Sequence, residues 1–101
     1  MKHFIQKIKW KLRCGMTCCE VANFDCYIAK KIYRGISEFR KTEWACCHPY
    51  NLTTEQWDKI LEDIEIGFKA YFDENMDDDK AIKLTNKAMK LFAKYWNSIC
   101  W

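Results

Sequence analysis

Arg34, Arg40, Trp44, His48 and Tyr50 are the residues whose types and spacing best suit chemistry in this chain of 101 residues. Arg34 and Arg40 belong to a segment also loaded with Lys30, Lys31 and Lys41, and the two aromatics and the imidazole follow directly after it. A guanidinium presents a planar fork of donors to phosphate oxygens, and a Trp or Tyr ring presents a face on which a base can stack. The five residues are therefore expected to form a binding surface for a small anionic ligand of nucleotide type, or for a protein partner, since Arg, Trp and Tyr also make protein–protein hot spots. A solvated helix face whose loop aromatics fold back on the core accounts for the same residues. A second basic patch, Lys83, Lys87 and Lys90, lies in an evenly spaced lysine stripe, the ordinary pattern of a helix's solvent side.

Other chemistries fit less well. The seven cysteines are Cys14, Cys18, Cys19, Cys26, Cys46, Cys47 and Cys100. Zinc knuckles need CxxC-type spacing, which is missing, and buried cysteines serve equally as small hydrophobes. The odd count and the two vicinal pairs do not suit a disulfide framework. Asp73, Asn75, Asp77 and Asp79 alternate like the start of a calcium loop, but Asp78 stands where that loop needs Gly and Leu84 where it needs a bidentate Glu. His3 and His48 are the only imidazoles, and no nucleophile-elbow, zincin, Walker or dinucleotide-binding pattern occurs. Neither a metal, a cofactor nor an enzymatic activity is expected.

Composition bounds the rest. Half the residues are apolar and 31% are charged, which suits one compact domain over residues 1–101 and excludes a disordered chain. Three Gly and one Pro are too few for the tight turns of an all-β fold. The net charge of +3 divides unevenly: residues 1–50 carry ten Lys/Arg against four Asp/Glu, and residues 51–101 carry seven against ten. An acidic half is poor footing for duplex nucleic acid, whose binding rests on releasing counterions from phosphates. The apolar runs are far shorter than the roughly 20 residues a membrane span needs, and residues 1–13 have no continuous apolar stretch of a secretory signal. A reducing cytoplasm is the expected compartment, with no membrane partner.

Apolar periodicity predicts an all-α bundle of three to four helices. Phe4, Ile5, Ile8 and Leu12 mark a first helix over roughly 2–12, closed by Cys14-Gly15. Tyr27, Ile28, Ile32, Ile36 and Phe39 mark a second over 23–41, with Asn23 as its N-cap and Gly35 as either a kink or a point of close approach. Thr53 to Gln56 reads as a capping box, with Leu52 as staple, opening a third helix over 54–72 whose apolar face carries Trp57, Ile60, Leu61, Ile64 and Phe68. Asp58, Glu62 and Glu65 trace its opposite, solvated face. A fourth helix, over 79–98, takes Ile82, Met89, Phe92, Trp96 and Ile99 as its core face. Trp10, Trp44, Trp96 and Trp101 are more indoles than so small a core hides alongside Trp57, so a homo-oligomer, with a dimer as its simplest form, is expected.

The segment LTTEQWDKILEDIEIGF, residues 52–68, resembles the LTEEEWDEILDKI-like helix of a family of small uncharacterised proteins of tailed bacteriophages and prophages. WKLRCGMTCCEVANFDCYIAKKI and the terminal LFAKYWNSICW resemble that family's two ends, while Cys18, Cys19, Cys26, Cys46 and Cys47 depart from it. The resemblance implies a phage origin, an all-helical fold and no enzymatic activity, and it supplies no functional residues. On that basis the chain is expected to act in the host cytoplasm as a counter-defence protein. One reading has it sequester a nucleotide-type signal in a pocket completed by oligomerisation. Another has it bind and block a host protein, and a third makes it a phage assembly accessory.

Overall fold

The computed structural model describes residues 15–16, 18–42 and 48–99. Among the described residues four α-helices follow one another: α1 (Cys18–Ala22), α2 (Phe24–Lys41), α3 (Thr54–Phe72) and α4 (Asp78–Lys94), with a 3-10 turn at Trp96–Ser98. Among the described residues there is no strand, and the all-α bundle expected from periodicity is what the chain forms. The helix expected over 2–12, together with Trp10, Trp44, Trp101, Cys14, Cys46, Cys47 and Cys100, lies outside the described residues.

Local chemistry sets the helix ends. Gly15 adopts a left-handed backbone, φ 78°, which a residue with a Cβ rarely tolerates. Asn23 holds the N-cap position of α2, where its carbonyl accepts the N–H of Tyr27 at 2.9 Å, but its side chain makes no capping bond. The α2 terminus closes on Thr42, whose N–H and Oγ1 both donate to the Phe39 carbonyl. α3 opens with the full capping box: Gln56 N–H donates to Thr53 Oγ1 at 3.1 Å, and Thr53 N–H donates to Gln56 Oε1 at 2.9 Å. Asp77 caps α4 by accepting the Lys80 N–H at 3.2 Å, and Asp78 and Asp79 sit in its first turn, where the helix dipole favours carboxylates.

α3 is the middle helix. It packs along both α2 and α4, which scarcely touch one another. Its side chains Trp57, Leu61, Ile64 and Phe68 recur at helical spacing and are buried against Ala29 and Ile36 of α2 and Ala88 of α4. Leu52 packs on this cluster from just before α3, the position expected of the staple. Edge-on aromatic pairs extend the core: Trp57 with Tyr95 at 5.5 Å, Phe68 with Phe92 at 5.6 Å, and Tyr33 with Phe72 at 5.7 Å between ring centroids.

Two features of α4 differ from the periodicity. The helix stops at Lys94 instead of running to 98, because the chain tightens at Tyr95 into a 3-10 turn that brings Ile99 onto the core. Its buried seam is also rotated. Ile82, Met89 and Trp96, expected in the core, are 58%, 49% and 62% exposed, while Thr85 and Ala88 face α3. The cause is Gly67. A Cβ built there would collide with Ala88 Cβ and the Leu84 carbonyl, so the two backbones meet where both helices are small. Thr85 Oγ1 then donates to the Gly67 carbonyl at 3.0 Å. Gly35, the position expected to matter for close approach, faces open space.

Candidate anion-binding groove

Tyr27, Lys30, Lys31 and Arg34 recur at i, i+3, i+4 and i+7 and so share one face of α2. With Glu20, Asn23 and Cys26 at the α1 junction they line a groove of about 330 Å³, near the small end of ligand sites. Arg34 is exposed and makes no ion pair or hydrogen bond among the described residues, so its donors face solvent. Lys31 Nζ stands 5.5 Å from the Tyr27 ring centroid, which holds a cation beside an aromatic face. Lys30 leans the other way, 5.7 Å from the Phe72 ring of α3. Three cations against the single carboxylate of Glu20 make the groove net positive. Away from the groove, Asp25 accepts a hydrogen bond from the Tyr71 hydroxyl, which ties the start of α2 to the end of α3. That bond lowers the Asp25 carboxyl below its ordinary range and raises the Tyr71 phenol above its own.

The other residues expected at the site are placed differently. Arg40 is six residues beyond Arg34, which turns it about 120° around the helix, and it faces α3 instead of the groove. Its Nε and Nη2 bind the two Asp58 oxygens at 3.0 and 3.1 Å, and Nη1 binds Glu65 at 2.6 Å. Glu62 completes the cluster at 3.7 Å. The donor fork expected to hold a ligand is filled by the acidic stripe of α3, which is therefore an interhelical surface and not a free solvated one. The hydrogen bond to Asp58 is the main reason the guanidinium is held even more firmly protonated than usual. Arg40→Ala leaves three carboxylates together, with Glu65 only 16% exposed. Melting experiments are expected to show a loss of about 1–2 kcal/mol, with Arg40→Lys recovering little because an ammonium cannot make the two-pronged contact. Unchanged stability would show that the cluster is ornamental.

His48 is half-buried, and its Nδ1 donates to the Pro49 carbonyl at 2.9 Å, so one ring nitrogen is already committed. Tyr50 is fully exposed. Neither lines the groove, and Trp44 lies outside the described residues. Of the expected residues that are described, Arg34 alone lines the groove. Its partners are legible as basic residues on α2, whereas apolar periodicity puts Tyr27 in the core; the i, i+3, i+4, i+7 spacing is the signal that unites them.

The lysine stripe of α4 is exposed, except that Lys87 reaches Asp63 of α3 at 3.4 Å and shares it with Lys59 at 3.1 Å. Among the described residues, no three His, Cys, Asp or Glu side chains come together as a metal site, and no helix is long and apolar enough to cross a membrane. Comparisons with protein-family models, with curated proteins and with solved structures found no match.

Proposed function

We propose that the chain is a small non-catalytic binding protein of phage origin that takes up a phosphate-bearing, nucleotide-type ligand on the α2 groove. The observation that supports this reading is the exposed guanidinium of Arg34, without an ion pair among the described residues, beside Lys30, Lys31 and the Tyr27 ring. Arg and Lys supply charge-assisted donors for phosphate oxygens, and an aromatic face serves the base. The phage assignment rests on the resemblance of residues 52–68 and of the two end segments.

The test is calorimetry with a panel of linear and cyclic nucleotides. Binding is expected to weaken at least tenfold in Arg34→Ala, with helicity unchanged, and to weaken again as salt is added. Arg40→Ala, assayed below its own melting transition, is expected to keep its affinity, because its fork is filled by α3. A panel that gives no heat refutes this reading. The fully exposed Tyr50 favours a second one, in which the chain binds a host protein directly; recovery of one host protein from a lysate, lost on Tyr50→Ala, is the result expected of it.

A further inference from the structure

The α2 groove has a direction. Tyr27, Lys30, Lys31 and Arg34 line it within one unbroken helix. Tyr27 and Arg34 are therefore about 10 Å apart along the axis, with the two lysines between them. Arg34 falls within about 20° of Tyr27 around the helix, and Lys30 and Lys31 fall about 60° to one side of that line and about 40° to the other. An aromatic ring stands at one end, a guanidinium at the other, and two ammonium groups flank the line. Lys31 leans back towards the Tyr27 ring, and Lys30 leans towards α3, where its Nζ lies 5.7 Å from the Phe72 ring centroid. Asn23 and Glu20 line the groove at its α1 end, before the ring.

The charge therefore changes sign along the groove, with a carboxylate at the α1 end and three cations towards and beyond the middle. The neighbouring charges leave that order in place. The Asp25 carboxylate accepts from the Tyr71 hydroxyl. Glu38, one turn past Arg34, is matched by Lys41 at 3.3 Å. Arg40 is taken up by Asp58 and Glu65 of α3, and Lys69 of α3 adds a further cation over the Tyr33 ring.

We propose, resting on the nucleotide reading above, that the groove takes a linear nucleoside polyphosphate head to tail, with its one base on Tyr27 and its phosphate chain running past the lysines to Arg34. A terminal phosphate chain gathers its charge at one end of the molecule; a single phosphomonoester alone carries about −1.5 to −2 near neutral pH. Three cations on one side of a ring match that arrangement, and the Arg34 fork suits the oxygens of the last phosphate. The Glu20 carboxylate repels a phosphate from the α1 end and so fixes the orientation. A cyclic dinucleotide has the opposite layout, with two bases outside and singly charged phosphodiesters between them. It calls for a ring at each end and cations in the middle, whereas this groove has one ring among its described lining residues. The volume of about 330 Å³ also suits one base better than two.

Calorimetry with adenosine, AMP, ADP, ATP, cyclic di-AMP and inorganic tripolyphosphate tests the proposal, with a chelator present so that no divalent ion screens the phosphates. Affinity is expected to rise from adenosine to ATP, with ATP at least tenfold tighter than AMP and at least tenfold tighter than cyclic di-AMP. Arg34→Ala is expected to weaken ATP more than AMP and so to flatten the series. Tyr27→Leu is expected to weaken ATP severalfold and to leave tripolyphosphate unchanged. Should Tyr27→Leu lose helicity, the unaltered protein decides the same point, since ATP is expected to bind at least tenfold tighter than tripolyphosphate. A flat series, or cyclic di-AMP as tight as ATP, overturns the head-to-tail arrangement and leaves the nucleotide reading standing. Tripolyphosphate as tight as ATP overturns the role of Tyr27 and with it the proposal. No heat from any of the six overturns the nucleotide reading itself, and this proposal with it.

Discussion

Gly67→Ala is expected to lower the melting temperature by more than about 10 °C, corresponding to a loss of about 3 kcal/mol. A methyl group is small, but here it enters a contact that has no slack. The added Cβ meets Ala88 Cβ and the backbone carbonyl of Leu84, and neither is the far end of a flexible side chain. α3 and α4 have to move apart. That motion stretches the Thr85–Gly67 hydrogen bond and opens the packing of Ala88, Phe68 and Phe92 along the same seam. Gly35→Ala is the matched control. Gly35 lies inside α2 with open space where its Cβ would go, so the substitution is expected to stabilise by about 0.4–1 kcal/mol through helix propensity and a less flexible unfolded chain. Thermal melts of the two variants should move in opposite directions. If both moved upward, the close approach of α3 and α4 would be wrong.

The same pair of glycines shows where the residue order runs out. Periodicity identifies which side of a helix is apolar when that helix has one apolar side. α3 does, and its start is also marked by the reciprocal Thr53–Gln56 bonds, so both its bounds and its buried face could be read. α4 has two usable sides: one with the large residues Ile82, Met89 and Trp96, and one with Thr85, Ala88 and Phe92. The choice between them is made by a glycine in a different helix. Counting large side chains picks the first, whereas the backbone approach at Gly67 selects the second. Arg40 teaches the same lesson for the binding surface. Within α2 it resembles Arg34, and nothing in its own helix distinguishes the two. The distinction comes from Asp58, Glu62 and Glu65, which recur at i, i+4 and i+7 on α3 and form an acidic stripe at the height of the last turn of α2. That stripe was visible in the order of residues, but its partner depended on how the two helices lie together. The tight set Tyr27, Lys30, Lys31 and Arg34 needed no such information, since a single helix's geometry brings it together.

Trp57→Ala is expected to be the most damaging single change, at about 3–5 kcal/mol, in a domain whose whole stability is of the order of 5–15 kcal/mol. Trp57 is fully buried, one turn inside α3, in the core cluster on which Leu52, Tyr95 and Ile99 also pack. Its removal leaves a cavity in the core, and Tyr95 loses the ring it packs on edge-first at 5.5 Å. The indole also carries a cost of its own, because its N–H is buried and finds no acceptor among the described residues. An unpaired buried donor costs about 1–3 kcal/mol. Trp57→Phe removes that donor and keeps a ring for Tyr95, at the expense of a smaller void, so it is expected to cost only about 1–2 kcal/mol. The separation between the two variants is the informative quantity in a denaturant titration. A wide gap places the stability of this region in the ring's packing. If Trp57→Phe were as damaging as Trp57→Ala, the nitrogen would have to be making a bond.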